Sequence, residues 1–197
     1  SVGIIGAGPA GLSCAEELRK LGYKITIYDR YDRPGGLLIY GIPNFKLEKF
    51  VVERRTKLLK DSGIKFIQKF EVGKNATLHE LRKKHDAILI ATGVYKAREI
   101  ELSGNKLNNI FPAMEFLTAS NRKGLGDQVD LFDNGTLNAE GKDVVVIGGG
   151  VVGLAAARIC MGMGARVTIL ERSVDRMIYL DDVFNGRIQT LYSSPLV

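Results

Sequence analysis

Three observations predict an α/β fold with two strand–turn–helix–strand units in tandem. Residues 2–30, VGIIGAGPAGLSCAEELRKLGYKITIYDR, run from a short apolar stretch through a glycine turn into an amphipathic segment and a second apolar stretch. Residues 144–172, VVVIGGGVVGLAAARICMGMGARVTILER, repeat the pattern at a constant offset of 142, with Leu12/Leu154, Ala15/Ala157, Gly22/Gly164 and Thr26/Thr168 matching across it. Each copy closes on an acid, Asp29 or Glu171, 18 residues after the third glycine of its turn. Short apolar strands alternating with helices assemble into parallel sheets.

The turns carry the chemistry. Gly6 permits a tight turn, Gly8 lets main-chain N–H groups approach a pyrophosphate, and Gly11 lets the helix pack closely on the strand. The helix N-terminus offers unpaired donors and a positive dipole end to phosphate. Asp29, at the end of the second strand, is placed to accept from a ribose diol. Gly148, Gly150 and Gly153 take the same three positions in the second copy, with Glu171 as the acid. Both units therefore read as Rossmann-like and dinucleotide-binding. Two such sites point to two different nucleotides, with one working site beside a structural copy as the alternative. A carboxylate at Glu171 accepts from a ribose 2′-hydroxyl and repels a 2′-phosphate, an effect softened by Arg172, so NAD is expected over NADP.

Between and after the two units, the elements follow in order. In Tyr31–Leu47 the glycines and prolines exclude a simple strand or helix, and Gly35-Gly36 with apolar neighbours suits backbone laid against a flat ring. Lys46–Lys60 reads as a helix with Leu47, Phe50, Val51, Leu58 and Leu59 on its apolar face and its basic residues in solvent. Ile64–Ile67 reads as a strand and residues 70–73 as another extended piece. Thr77 caps a helix running to about Lys84, with Glu80 at capping-box spacing. Asp86–Ala91 reads as a buried parallel strand ending at Thr92-Gly93, a small-residue edge suited to packing on a cofactor. Phe111–Ser120 looks helical, residues 121–141 read as a connection, Val174–Phe184 as a helix and Arg187–Tyr192 as a third strand of the second unit.

Composition removes several function classes. The 197 residues are 45% hydrophobic, and no apolar run approaches the roughly 18–20 residues of a membrane span. A globular, cytoplasmic protein with no membrane partner is expected, and nothing resembles a secretory leader. The sequence opens on Ser1 and stops soon after a strand, so it reads as a piece of something longer. Cys14 and Cys160 each fall within a helix that follows a glycine turn, which fits buried, reduced thiols. No CxxC or CxxxxC is present, which argues against a dithiol flavoenzyme and an iron–sulfur cluster. His79 and His85 flank a charged helix with no ligand cluster around them, so both are expected at the surface and no metal site is assigned. The net charge of +6 invites nucleic acid as a partner, but no aromatic residues interleave the basic runs as stacking platforms. An acidic protein surface fits that charge better.

The runs GAGPAG, YDR, GGLLIYGIPNFKLEK, ATGVYKAREI and GKDVVVIGGG are specific enough to name a family. Residues 1–150 resemble the flavin-binding half of the glutamate synthase small subunit, and a similar module occurs in dihydropyrimidine dehydrogenase. This resemblance implies two Rossmann-like units of flavoprotein-reductase type, incomplete here: an FAD-binding unit over 1–100, a linker with a helix over 101–141, and a partial NAD(P)-binding unit over 142–197. It further implies hydride transfer from NAD(P)H to FAD. Electrons then pass onward to the glutamate synthase large subunit or another electron-accepting protein. Carried over by position, FAD contacts come from Gly6, Gly8, Pro9, Ala10, Gly11, Asp29, Arg30, Gly36, Leu37, Lys46, Val72, Ala91, Thr92 and Gly93. No catalytic side chain is implied, because the cofactors supply the chemistry.

After Gly150 the pattern changes. VVGLAAARICMGMGARVTILERSVDRMIYLDDVFNGRIQTLYSS is similar to the NAD-binding segment of alanine dehydrogenase, including its LDDxFxGRxQT run. That resemblance implies NAD contacts from Gly148, Gly150, Val151, Val152, Gly153, Glu171, Arg172, Arg176 and Ser193, and a sequence joining two families at their shared glycine motif. The alternative to an oxidoreductase module is a non-catalytic or truncated NAD-binding fragment related to alanine dehydrogenase.

Overall fold

The computed structural model describes residues 1–94 and 103–194. Residues 95–100 of the ATGVYKAREI run, the first two residues of the expected linker and residues 195–197 lie outside them. The chain divides into two compact α/β units, Ser1–Glu99 and Ile100–Val197.

The first unit contains β1 (Val2–Ile5), α1 (Pro9–Lys20), β2 (Ile25–Tyr28), α2 (Leu37–Tyr40), α3 (Lys49–Asp61), β3 (Lys65–Ile67), α4 (Leu78–Lys84) and β4 (Ala87–Ile90). Its sheet is parallel throughout, in the order β3-β2-β1-β4. Helix α1 starts at Pro9, whose fixed φ suits the first turn, and ends on Arg19 and Lys20, which complement its dipole. It buries Leu12 and Ala15 against Ile4, Ile25 and Ile27 of the sheet. Thr77 and Glu80 form the expected capping box at the start of α4.

The second unit contains α5 (Ala113–Gly124), α6 (Asp130–Asp133), β5 (Asp143–Ile147), α7 (Val151–Gly162), β6 (Arg166–Glu171), α8 (Val174–Phe184) and β7 (Gln189–Tyr192). Its parallel sheet has the order β5-β6-β7. Ala157, Ile169, Leu180 and Phe184 form its driest core. The sequence repeat extends to strand register: Val2 pairs with Ile25, and Val144, 142 residues on, pairs with Val167.

Several expectations need correction. Helix α3 begins at Lys49 and buries Lys49, Val52, Thr56 and Leu59, whereas Phe50 and Leu58 are more than half exposed. The apolar residues chosen from the sequence therefore straddle two faces, and one basic residue is inside. Residues 70–73 form no strand; Val72 makes only an isolated bridge with Ala76. Among the described residues β4 lies at the edge of the sheet, with Ile90 61% exposed, so it is not a strand buried on both faces. The stretch read as a connection carries the end of α5 and all of α6, whose Phe132 packs with Leu137 and Ala119. His85 is not a plain surface residue: its Nε2 lies 2.8 Å from the Tyr28 hydroxyl, and burial lowers its pKa. Among the described residues, no helix is long and apolar enough to cross a membrane.

Candidate functional site

Both glycine turns are built the same way. The Gly6 and Gly148 amides donate to the Tyr28 and Leu170 carbonyls, each at 2.8 Å, and tie turn to second strand. A β-carbon at Gly11 would lie 2.0 Å from the Gly6 carbonyl oxygen, and one at Gly153 would lie 1.9 Å from that of Gly148. The third glycine is thus required for helix and strand to approach. The middle glycines differ: Gly8 and Gly150 have nothing within 4 Å of where a side chain would begin. That open space lies at the N-terminus of a 12-residue helix with no side-chain cap and no acid in its first turn. Unpaired N–H groups, a positive dipole end and free space together make a cradle for a phosphate.

The two acids close the turns. The buried Asp29 accepts from the Ala7 amide at 2.5 Å and from the Tyr31 amide at 2.8 Å. Glu171 accepts from the amides of Gly149 at 2.7 Å, Arg172 at 2.7 Å and Ser173 at 3.1 Å. The Gly149 amide, aided by those of Arg172 and Ser173 and by the charge of Arg176, holds the Glu171 carboxyl below the usual range. Each carboxylate fixes the peptide after its first glycine and keeps lone-pair capacity toward the strand end, where a ribose diol would sit.

The carbonyl of the same residue is held differently in the two units. In the first, the Ala7 carbonyl accepts from the Gly35 amide at 2.8 Å. In the second, the Gly149 carbonyl accepts from Arg176 Nε at 2.7 Å, and the Arg176 guanidinium stacks 4.4 Å over the Tyr179 ring. Leu180 packs against Gly149 closely enough that a β-carbon there would lie 2.4 Å from it.

Beside the first turn lies a cavity of about 320 Å³ lined by Gly6, Asp29, Arg30, Val72, Thr92 and Gly93, together with Tyr28, Tyr31 and Phe70. Six residues expected from the sequence thus share one hollow. The Ala91 carbonyl faces Gly6, 2.3 Å from where a β-carbon would stand. Gly36 abuts the turn, since a β-carbon on it would lie 2.9 Å from the Gly8 Cα, and Leu37 follows it. Pro9 and Ala10 open α1. Lys46 does not join this group; it lies exposed on the loop before α3. In the second unit, Val151 and Val152 are exposed at the start of α7. The Ser193 amide donates to the Glu171 carbonyl at 2.8 Å, which puts Ser193 at the acid's strand end. Arg172 is exposed beside Glu171.

Comparison with known proteins matches the pyridine nucleotide-disulphide oxidoreductase family over residues 1–193. The chain belongs to this family. Among pyridine nucleotide-disulphide oxidoreductase relatives, a glutamate synthase [NADPH] small chain of Azospirillum brasilense is 59% identical over 165 residues, covering 84% of this chain and 34% of the relative. One from Bacillus subtilis (strain 168) is 44% identical over 152 residues, covering 77% of this chain and 30% of the relative. The chain spans about a third of the length of the curated relatives it matches. Among solved structures, Mycobacterium tuberculosis FprA in complex with NADPH matches 92% of this chain and 47% of its own length, with a TM-score of 0.72 at 22% identity. At that identity the likeness is one of fold.

Sequence reasoning missed Gly149 and Lys49. The matching alignment of Ala7 with Gly149 marks the first, because a residue between two turn glycines has its amide facing the strand-end acid. Lys49 leaves a weaker trace, its helical spacing with Val52, Thr56 and Leu59.

Proposed function

We propose that the chain is the nucleotide-binding part of an electron-entry module of glutamate synthase small-subunit type, with FAD on the first unit and NAD(P)H on the second. One observation carries this reading: two phosphate cradles of the same construction, each open over its middle glycine and closed by a strand-end acid. FAD, when bound, supplies the ring that accepts hydride from the reduced nicotinamide. The protein's own part is to bind and orient. Main-chain amides at the starts of α1 and α7 take the two pyrophosphates, and Asp29 and Glu171 take the ribose diols. Gly36 lies against the first turn with Leu37 after it, Val72 serves the adenine side, and Arg30, Thr92 and Gly93 line the same hollow, with Ala91 against Gly6.

In this reading residues 1–100 form the flavin unit, 101–141 a linker with a helix and 142–197 the partial dinucleotide unit. The large subunit of glutamate synthase, or another electron-accepting protein, takes the electrons onward in the cytoplasm. For the donor we favour NADH. Glu171 stays ionised at neutral pH where a 2′-phosphate would lie, and Arg176 is already engaged with Gly149 and Tyr179. Derivation of residues 144–197 from an alanine-dehydrogenase-like NAD segment fits this preference and the LDDVFNGRIQT run over α8 and β7.

The test is the visible spectrum of the purified chain after incubation with FAD and desalting. A retained band near ~450 nm that bleaches on anaerobic NADH addition is expected; bleaching by NADPH but not NADH would reverse the donor assignment. A chain that binds NAD by calorimetry but leaves FAD behind would instead be a nucleotide-binding fragment.

A further inference from the structure

Lys49 is placed against its own interests. It is the first residue of α3, where the positive end of the helix disfavours a cation. It is only 8% exposed, and burial lowers its pKa to about 8. Among the described residues no carboxylate pairs with it. Instead the ammonium donates to the Leu38 carbonyl at 3.1 Å and to the Ile42 carbonyl. Both belong to α2 and the turn just after it, and the C-terminal carbonyls of a helix welcome a cation. The other end of this segment is pinned to the first phosphate cradle, because the Gly35 amide donates to the Ala7 carbonyl and Gly36 abuts Gly8. Residues 35–42 are therefore clamped twice, by the glycine turn at one end and by a buried ammonium at the other.

We propose that Lys49 is a positioning residue for the flavin site, fixing the segment 35–42 at the distance from the Gly6–Gly11 turn that FAD requires. The proposal rests on the flavin reading of the first unit. A desolvated cation with only neutral acceptors is a poor device for stability alone, since an apolar side chain of similar volume avoids the burial penalty. What the ammonium adds is direction: it draws two carbonyls to one point, which no apolar chain does.

The test compares the wild-type chain with Lys49→Met and Lys49→Arg. Losing hydrogen bonds to a charged donor is expected to weaken FAD binding about tenfold in the Met variant. NADH affinity should stay unchanged, and the visible circular dichroism of bound flavin should be altered. The Arg variant should recover part of the FAD affinity. In the wild-type chain, FAD should slow amide exchange across residues 35–42. Unchanged FAD affinity in Lys49→Met overturns the proposal, as does unchanged exchange of residues 35–42 on FAD binding, which needs no variant to fold. A wild-type chain that binds no FAD overturns the flavin reading itself and this proposal with it.

Discussion

The Glu171 carboxylate accepts three main-chain amides and Asp29 accepts two, so each acid is a structural part of its turn before any ribose arrives. This has a pH consequence for Glu171. Its folded pKa lies below the ordinary 4.5, chiefly because of the Gly149 amide, so its contribution to stability is fully present above that value and lost as pH falls through the folded value. Glu171→Gln should therefore melt below the wild type at pH 7, and the gap should close progressively as thermal melts are repeated below pH 4.5. The glycines separate in another way. Gly11→Ala and Gly153→Ala force a β-carbon onto a carbonyl oxygen and should cost at least about 1–3 kcal/mol in denaturant unfolding. Gly8→Ala and Gly150→Ala meet open space at ordinary φ of −78° and −66°. They should leave stability within about 1 kcal/mol while weakening nucleotide binding in calorimetry, because the new methyl occupies the phosphate's place. These residues were legible in the sequence because the contacts that call for a glycine or an acid there, Gly11 on Gly6, Gly153 on Gly148, and each acid on its turn amide, lie inside one strand–turn–helix–strand unit. Gly36 against Gly8, and Val72 sharing a cavity with Asp29, depend on longer-range packing that no local spacing encodes.

At the level of elements, α3 shows where pattern reading fails. The 3.6-residue period identifies the helix and its end near Asp61, yet the face drawn through Phe50 and Leu58 is wrong. Hydrophobicity assigns large apolar residues inward and lysines outward, whereas here Lys49 finds two carbonyls within the fold while Phe50 and Leu58 face outward. The trace available in the sequence was the spacing of Val52, Thr56 and Leu59, which continues from Lys49 at 3, 4 and 3 residues. The assignment is directly testable. Leu59→Ala should cost about 2–5 kcal/mol in chemical unfolding, whereas Phe50→Lys and Leu58→Lys should each stay within about 0.5 kcal/mol. The opposite ranking would restore the face drawn from the sequence. The capping box of α4 shows the contrasting case: Thr77 and Glu80 interact across one turn, so three residues of sequence suffice to place it.

For the whole molecule, the two units are copies that differ at one edge of the sheet. In the first, β1 has neighbours on both sides, and β4 brings the Ala91 carbonyl against Gly6. In the second, β5 pairs only with β6 among the described residues, and a β-carbon on Gly148 would meet nothing within 4 Å. The sequence repeat predicted the shared turn but could not show this difference, because β4 lies outside the repeated stretch. β5 consequently presents a free strand edge together with Val145 and Ile147, which are 60% and 56% exposed. An apolar parallel strand with unpaired amides is a template for pairing with another chain. The chain should therefore self-associate with rising concentration despite its net charge of +6. Val145→Lys should suppress that association in light scattering, since a charge on the open face opposes stacking and edge pairing alike. The variant should keep the wild-type melting temperature, because Val144 and Val146, not Val145, pack against the core. Association unchanged by Val145→Lys would place the sticky surface elsewhere, with the exposed Phe50 and Leu58 of α3 the next positions to test.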